Sequence, residues 1–315
     1  MRIFCVVLNW NGKADTEGCL SSLVVARVPE GVEFSIVVVD NGSTDGSLET
    51  LPARFPGVQF VANGANLRWA GGNNRGLEVA RRAGAEGVLL LNNDTTVAPD
   101  FLEALVSAVR AHPEAGLFGP TILSFDGTRI WSAGGSWSPW LGWGWHRKLG
   151  QRWSEAPAVG SAGARPERSG YLTGAALYVT SACLERIGPL DEGYYLYGED
   201  ADWCLKARAA GLECLYVPRS IIRHRVSGSS GGASPFKAYH RTRAGLRLAV
   251  RHTRPWHWLT WPWAFALLLL LQSAAWWRRG GGSAAFAAAW QAFGDHWAGR
   301  PMENPHYIPR LRGAA

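Results

Sequence analysis

Cysteine is scarce in this 315-residue sequence, and its spacing excludes two classes of small protein. A disulfide-stapled scaffold or a zinc knuckle needs paired, closely spaced cysteines. This chain has an odd number and no Cys-x-x-Cys pair, so we expect reduced thiols and a cytosolic location. The cysteines are Cys5, Cys19, Cys183, Cys204 and Cys214.

Acidic residues are also scarce, but only in the last third of the chain. From Arg219 onward the sequence has 14 lysines and arginines and two acids, whereas the first 218 residues carry 18 bases and 23 acids. The formal charge of +7 therefore belongs to the C-terminal third. Such asymmetry indicates a polyanion or an anionic membrane surface as partner. A nucleic-acid binder is disfavoured, because no recognised nucleic-acid motif occurs.

Long apolar runs are missing as well. Residues 3–8 form an apolar run too short for the core of a signal peptide, so we expect a buried strand and no secretion. Residues 255–277 are uncharged with tryptophans near both ends, but polar residues dilute all except 264–271. A helix lying in the membrane surface fits this pattern better than a span or an internally packed helix, and all three stay open.

The first 120 residues alternate between apolar, β-rich segments and segments compatible with helices. Continuous apolar strands separated by helices are typical of a parallel sheet covered on both faces, so an α/β fold is predicted. Ligands bind beyond the carboxyl ends of such strands, where the sequence has Asn9, Asp40 and Asp94. The predicted strands are 3–8, 34–39, 58–62 and 88–91.

Two later regions depart from this alternation. Residues 125–170 are rich in Gly, Pro and Trp, which predicts irregular loops or short antiparallel strands, with tryptophans that suit a core, a sugar ring or a membrane interface. Beyond Pro235 a helix is predicted, whose cations fall within an arc of about 160°. Either a solvated face or an anionic surface explains that arc. The cations are Lys237, Arg241, Arg243, Arg247, Arg251 and Arg254.

Four polar segments are candidates for chemistry. Residues 40–47 form either an ordinary turn or a site for a nucleotide base or ribose. Residues 66–76 combine glycines, amides and cations in a loop before a helix near residue 74, without the Gly-Lys-Ser/Thr of a Walker loop. Asp94 offers a carboxylate to a hard cation. Residues 198–203 crowd three carboxylates, which suits base catalysis or simple helix capping.

In this order, the segments resemble the family 2 glycosyltransferases of GT-A fold, and within them the bacterial rhamnosyltransferase-like branch. The resemblance implies a Rossmann-like, mostly parallel sheet flanked by helices and a C-terminal helical appendage. It implies a catalytic domain over 1–235, with halves 1–120 and 121–235. The basic, Trp-rich residues 236–315 are predicted from their composition to associate with a membrane. The matching segments are 6–11, 38–47, 70–76, 90–94, 173–176, 188–192, 199–203, and His224 with the loop 227–232.

The resemblance also implies roles on the donor side. Asp94 and His224 are expected to hold a Mg²⁺ or Mn²⁺ ion on the donor diphosphate, although a lone histidine is often structural. The residues expected to bind the donor are Asn9, Asp40, Asn66, Arg68, Gly72, Asn73, Asn93 and Ser229.

On the acceptor side, the resemblance implies that Asp200, with Glu199 beside it, is the general base that deprotonates a hydroxyl. Trp203 and Asp202 are expected to contact the acceptor, with burial in the core as the alternative for Trp203. Direct displacement would then invert the anomeric carbon without a covalent enzyme intermediate.

These roles predict an enzyme that transfers L-rhamnose from dTDP-rhamnose to a lipid-linked glycan or polysaccharide precursor on the cytoplasmic leaflet. A UDP- or GDP-sugar donor and a non-catalytic nucleotide-sugar or glycan-binding module are the alternatives. The chain departs from the family pattern twice. Asn92 and Asn93 stand where acids are usual, and Arg68 and Trp69 stand where Gly-Phe is common. The second departure alters the lid over the nucleotide and leaves the identity of the donor sugar nucleotide open.

Overall fold

The computed structural model describes residues 1–155, 160–161, 163–225, 234–278 and 282–303. The chain divides into two compact units. The second unit combines the region predicted as an appendage with two short segments from the predicted catalytic domain. The first unit consists of Met1–Ser136, Trp145–Asp191 and Asp200–Val226, and the second of Trp137–Gly144, Glu192–Glu199 and Ser227–Ala315.

The first unit is built on one mixed sheet. Its main path runs in the order β10-β12-β6-β11-β4-β1-β2-β3, while β5 pairs with β12, β7 pairs with β6, and β8 and β9 form a separate pair. The strands are β1 (Arg2–Asn9), β2 (Glu33–Asp40), β3 (Gln59–Ala62), β4 (Gly87–Asn92), β5 (Thr95–Val97), β6 (Ala115–Ser124), β7 (Ile130–Ser132), β8 (Gly135–Ser138), β9 (Trp143–His146), β10 (Glu167–Arg168), β11 (Ala176–Thr180) and β12 (Glu213–His224).

Helices follow most of the early strands and make up most of the second unit. Short 3₁₀ turns occur at Trp153–Glu155 and Pro255–Leu259. The helices are α1 (Lys13–Val24), α2 (Ser47–Arg54), α3 (Arg68–Arg82), α4 (Phe101–Ala111), α5 (Ser181–Ile187), α6 (Glu199–Ala209), α7 (Pro235–His252), α8 (Trp261–Trp276) and α9 (Gly282–Trp297).

Strands β1 to β4 form the parallel part of the sheet that the sequence predicts. β1 lies between β2 and β4, and β2 pairs with β3, all in parallel. Ile3, Cys5 and Val7 pack in a core with α1 and α4, while Phe4 and Val6 pack in a second core with α3 and α6. Because helices cover both faces, β1 is apolar along nearly its whole length. The predicted α/β architecture is confirmed.

The second half of the sheet brings a distant strand back to the carboxyl edge. β11 runs antiparallel to β4 and β6, and β12 runs parallel to β6. β5 then pairs antiparallel with the end of β12, with His224 opposite Thr95. This register sets the last residue of β12 next to Asp94, which directly precedes β5.

Helix α3 begins earlier than predicted, because the glycine segment is helical and not a loop. The helix starts at Arg68 instead of near Asn74. A Cβ atom added to Gly72 would lie 2.4 Å from Leu8 Cδ1. Gly72 therefore allows α3 to pack closely on β1. This close packing explains why a glycine, which the sequence pattern associates with loops, occurs within a helix.

The cysteines lie in the core, and the Trp-rich region takes one of its two predicted forms. All five cysteines are free and buried, and burial raises the pKa of Cys19 to about 12. In the described part of 125–170 the chain forms short strands, with β7 antiparallel to β6 and β10 antiparallel to β12.

The second unit has its own small core, in which α8 packs on α9. One face of α8 carries Trp261, Phe265 and Leu269, all fully buried against alanines of α9. The cations of α7 do not form a uniform solvated face, since Lys237 and Arg243 are buried. None of the helices in the described part of the chain has both the length and the apolar character that a membrane span requires.

Candidate active site

The first polar cluster lies at the carboxyl ends of β1 and β2. Asn9 and Asp40 are register partners, and Asn9 Nδ2 donates to Asp40 Oδ2 at 2.7 Å. Asp40 Oδ1 accepts the backbone N–H of Ser43 at 2.8 Å. Both predicted donor-binding side chains are fully buried. They therefore meet at the carboxyl edge of the sheet, and Asp40 shapes the turn that follows β2.

Asparagines tie the segment before α3 to this turn. Asn41 Nδ2 donates to the carbonyl oxygen of Arg68 at 2.9 Å, and Asn63 Nδ2 donates to Asn41 Oδ1 at 2.8 Å. Asn66 is exposed, and its Oδ1 accepts the N–H of Arg68 at 2.8 Å. These bonds hold Arg68 at φ 63°, a left-handed conformation that is uncommon outside glycine. Asn63 was not predicted, and Asn41 was named only as part of the segment 40–47, although both directly follow strands.

Two predicted donor-binding residues are buried in α3. Gly72 faces β1, where there is no room for a Cβ atom. Asn73 is buried, and its Nδ2 donates to the carbonyl oxygen of Trp69 at 2.9 Å within the helix. Their contact with the donor stays a prediction; in this structure the segment is helical, and both residues are buried in it.

Asn93 joins the end of β4 to the start of α1. Its Nδ2 donates to Thr16 Oγ1 at 3.0 Å and to Asn9 Oδ1 at 3.2 Å. The amide is half-buried at the carboxyl edge, beside the Asn9–Asp40 pair. Asn93 thus orients a predicted donor-binding residue while staying partly accessible itself. Ser229, the remaining predicted donor-binding residue, lies outside the described residues.

The two predicted metal ligands lie side by side. His224 Nε2 is 3.0 Å from Asp94 Oδ1, and the N–H of Arg225 donates to the carbonyl oxygen of Asp94 at 3.0 Å. Trp131 packs edge-on against the His224 ring with a centroid distance of 4.9 Å. The β5–β12 register and this indole therefore orient the imidazole towards the carboxylate.

The donor set of this pair fits a divalent cation. A carboxylate oxygen and an imidazole nitrogen both ligate such ions, and His224 Nδ1 is buried without a hydrogen-bond partner among the described residues. No group of three His, Cys, Asp or Glu side chains that could hold an ion occurs in the described ranges. Two protein ligands leave coordination positions for phosphate oxygens, a common arrangement for Mg²⁺ at nucleotides.

Asp200 lies near the start of α6 with its carboxylate held by backbone amides. Its Oδ2 accepts the N–H of Gly174 at 2.7 Å, and its Oδ1 accepts the N–H of Ala201 at 2.7 Å. Burial of the carboxylate raises the pKa of Asp200, although these hydrogen bonds act in the opposite direction. A carboxylate with a raised pKa is suited to accept a proton near neutral pH. Glu199, one residue earlier, is buried.

Trp203 and Asp202, the residues predicted to contact the acceptor, are both buried in this structure. Trp203 is fully buried, and its Nε1 donates to the carbonyl oxygen of Gly188 at 2.8 Å. Asp202 is also fully buried and pairs with Lys206 Nζ at 2.7 Å, one turn along α6. Trp203 therefore takes its alternative place in a core that α6 shares with the sheet, and Asp202 forms an ion pair with Lys206 within α6.

An aromatic residue to which the sequence pattern assigned no role also reaches the site. Trp69 lies in the first turn of α3 and is half-buried. Its Nε1 donates to Asn92 Oδ1 at 2.9 Å, next to the Asn93–Asp94 segment. The only sequence signal for this contact is that Trp69 and Asn92 both stand at positions where the chain departs from the family pattern.

The mostly parallel sheet flanked by helices is the fold of glycosyltransferases of GT-A type. Residues 5–169, more than half of the chain, match the family model described as glycosyl transferase family 2. The chain belongs to this family and is a glycosyltransferase.

Named relatives and a solved structure are similar over most of the chain. An N-acetylglucosaminyl-diphospho-decaprenol L-rhamnosyltransferase from Mycobacterium tuberculosis is 31% identical over 239 residues, covering 70% of this chain and 76% of the relative. The dTDP-rhamnosyl transferase RfbF from Shigella flexneri is 22% identical, covering 81% and 82%. The mannosyltransferase PcManGT from Pyrobaculum calidifontis, solved with GDP-Man and Mn²⁺, superposes with a TM-score of 0.59 at 17% identity, covering 94% and 86%.

Proposed function

We propose that this enzyme transfers L-rhamnose from dTDP-rhamnose to a hydroxyl of a polyprenyl-diphosphate-linked glycan, with inversion of the anomeric carbon. The main support for the catalytic part of this proposal is the contact between Asp94 and His224 at 3.0 Å, in the same unit as Asp200. The names of two relatives, an L-rhamnosyltransferase acting on a decaprenol-linked sugar and a dTDP-rhamnosyl transferase, support the donor and the acceptor class.

On the donor side, Asn66 and Asn93 are the accessible amides of the network that Asn9 and Asp40 organise. They bind the nucleotide by hydrogen bonds, while Arg68 supplies a cation near the phosphates. Asp94 and His224 would hold a Mg²⁺ or Mn²⁺ ion between them. Such an ion neutralises the negative charge of the leaving diphosphate. The mannosyltransferase of similar fold, which was solved with Mn²⁺ beside GDP-Man, supports this cofactor.

Asp200 acts as the base. An acceptor hydroxyl gives its proton to the Asp200 carboxylate as its oxygen bonds to the anomeric carbon. The bond from that carbon to the diphosphate oxygen breaks on the opposite face, and the diphosphate keeps the electron pair. A general base contributes about 10²–10⁴-fold to such a step. The amides of Gly174 and Ala201 hold the carboxylate in one orientation for this transfer.

A donor panel tests the proposal. Thermal shifts are measured with dTDP-rhamnose, UDP-N-acetylglucosamine and GDP-mannose, each with and without Mn²⁺, followed by transfer to a polyprenyl-diphosphate-linked N-acetylglucosamine. We expect Mn²⁺-dependent stabilisation and transfer with dTDP-rhamnose. Transfer from the UDP- or GDP-sugar alone would refute the donor assignment, and binding without any transfer would favour the non-catalytic alternative.

We also propose that the second unit docks on an anionic membrane surface, at the cytoplasmic leaflet. The face of α8 opposite its buried side carries exposed apolar residues at helical spacing, and large exposed apolar patches mark interaction surfaces. Trp263 is 77% and Leu267 58% exposed. Arg254 and Arg278 flank this helix and complement anionic headgroups. We call this patch the α8 outer face; it consists of Trp263, Leu267, Leu270 and Leu271.

A further inference from the structure

The indole of Trp69 packs directly on the turn that precedes β11. A Cβ atom added to Gly174 would lie 2.6 Å from both Cζ2 and Cη2 of Trp69, closer than real side chains approach, and 3.3 Å from Asp200 Cβ. Gly174 does not have the positive φ that would demand glycine. Glycine is therefore required at position 174 because Trp69 fills the space that a side chain would need, and not because of the backbone conformation.

Asn92 holds the ring and the turn together. Its side-chain Oδ1 accepts the indole N–H of Trp69 at 2.9 Å, and its backbone N–H donates to the carbonyl oxygen of Ala175 at 3.0 Å. The two departures from the family pattern, Trp69 and Asn92, thus meet in one hydrogen bond. The ring position and the turn position are set by the same residue.

The same turn also holds the base. The N–H of Gly174 donates to Asp200 Oδ2 at 2.7 Å, so a displacement of the turn moves or releases the carboxylate. Contacts therefore run without a gap from Trp69 on the donor-side helix α3, through Gly174, to Asp200 on α6. A misplacement of about 1 Å at such a group costs about 10²-fold in rate.

We propose that Trp69 is a positioning residue for the catalytic base: it holds the turn at residues 173–175 so that the Gly174 amide fixes the Asp200 carboxylate. This role rests on the proposed function, because it assigns Trp69 to the same site. Trp69 itself takes no part in proton transfer.

A size-exchange experiment tests the role in the full-length enzyme. Gly174→Ala should lower kcat by about 100-fold, with the donor KM within about threefold, because the clash displaces the base and not the donor. Trp69→Phe, which removes Cζ2 and Cη2, should cost about tenfold or less. The double variant should recover to within about threefold of Trp69→Phe, since residues in contact do not act additively.

Gly76→Ala is the matched control on α3. Its Cβ atom would lie 2.2 Å from Val6 Cγ1, so the variant is crowded by the sheet and not by Trp69. Trp69→Phe should not rescue it. Rescue of Gly76→Ala as well as Gly174→Ala, or a double variant no faster than Gly174→Ala, would overturn the proposal.

A second readout needs no donor or acceptor. In ¹H–¹⁵N NMR spectra, the amide of residue 174 should follow the titration of Asp200 in the wild type and in the double variant, but not in Gly174→Ala. If the wild type transfers no sugar from any donor, the proposed function fails while this signal still decides the positioning role. An amide that titrates unchanged in Gly174→Ala refutes it.

Discussion

His224 Nε2 lies 3.0 Å from Asp94 Oδ1, although the two residues come from opposite halves of the catalytic domain predicted over 1–235. The antiparallel register of β5 on β12 produces the contact. The edge of Trp131 supports the imidazole from the side. The strand register and this indole therefore fix the geometry of the pair, which is the site that we propose for the cation.

We predict that His224→Ala weakens Mn²⁺-dependent donor binding by about 10- to 100-fold, because half of the protein ligand set is lost. Calorimetric titration of the dTDP-sugar at several Mn²⁺ concentrations measures the effect. His112, which is paired with Glu114 on a loop away from the sheet edge, provides the control variant His112→Ala. The same Mn²⁺ dependence in wild type and His224→Ala would remove this histidine from the site.

We predict that Asp200→Asn lowers kcat by about 10³-fold and leaves donor affinity nearly unchanged, because the amide keeps the shape of the side chain and cannot accept the proton. Single-turnover assays and donor titrations separate the two effects. The neighbouring Glu199→Gln serves as control, with folding checked by thermal melts. An equal loss in a well-folded Glu199→Gln protein would contradict the assignment of the base to Asp200.

The pH dependence of kcat should show that the catalytic base is buried. Because burial raises the pKa of Asp200 above that of an ordinary aspartate, activity should fall as pH drops through this raised pKa, at a higher pH than a solvated carboxylate would give. The acid limb is measured with saturating donor and acceptor. A limb at the pKa of an exposed aspartate would show that this carboxylate is not the group that titrates.

Stability should respond to the same group with a defined sign. An aspartate with a pKa raised in the folded state binds more protons folded than unfolded, so its ionisation destabilises the protein as pH rises through that interval. Asp200→Asn should therefore melt at the same or a higher temperature than wild type near pH 8. The difference should vanish at pH values below the pKa of the unfolded aspartate. A lower melting temperature for the variant at pH 8 would contradict this linkage.

Membrane binding should depend on the α8 outer face. Replacing Trp263 and Leu267 by serine should lower partitioning onto anionic vesicles by at least about tenfold, because two exposed apolar side chains no longer insert. Sedimentation with vesicles containing phosphatidylglycerol measures it, and added salt should weaken binding of the wild type. Trp145, an exposed tryptophan of the first unit, gives the control Trp145→Ser. Equal sedimentation of all three proteins would refute the docking surface.

Predictions from local pattern succeeded where one residue pattern has one structural meaning. The apolar runs around Val6, Val38 and Leu90 became parallel strands buried on both faces, and the polar residues after them gathered at one edge. The pattern failed in predicting a loop around Gly72, because glycine that lets a helix approach a strand looks the same in sequence as glycine in a ligand-binding loop. It left Trp203 open between acceptor contact and burial in the core, and the structure buries this side chain.

The sequence by itself determined the α/β class, the order of the strands along the chain, and the polar residues that end them, because hydrophobic periodicity and strand-end chemistry are local properties. Only the tertiary structure decided that His224 meets Asp94, that Trp69 packs on Gly174, and that one face of α8 is buried while the other is exposed. Each of these depends on strand register, helix rotation or side-chain volume across distant segments. Such contacts arise from packing the whole chain, and no window of neighbouring residues contains them.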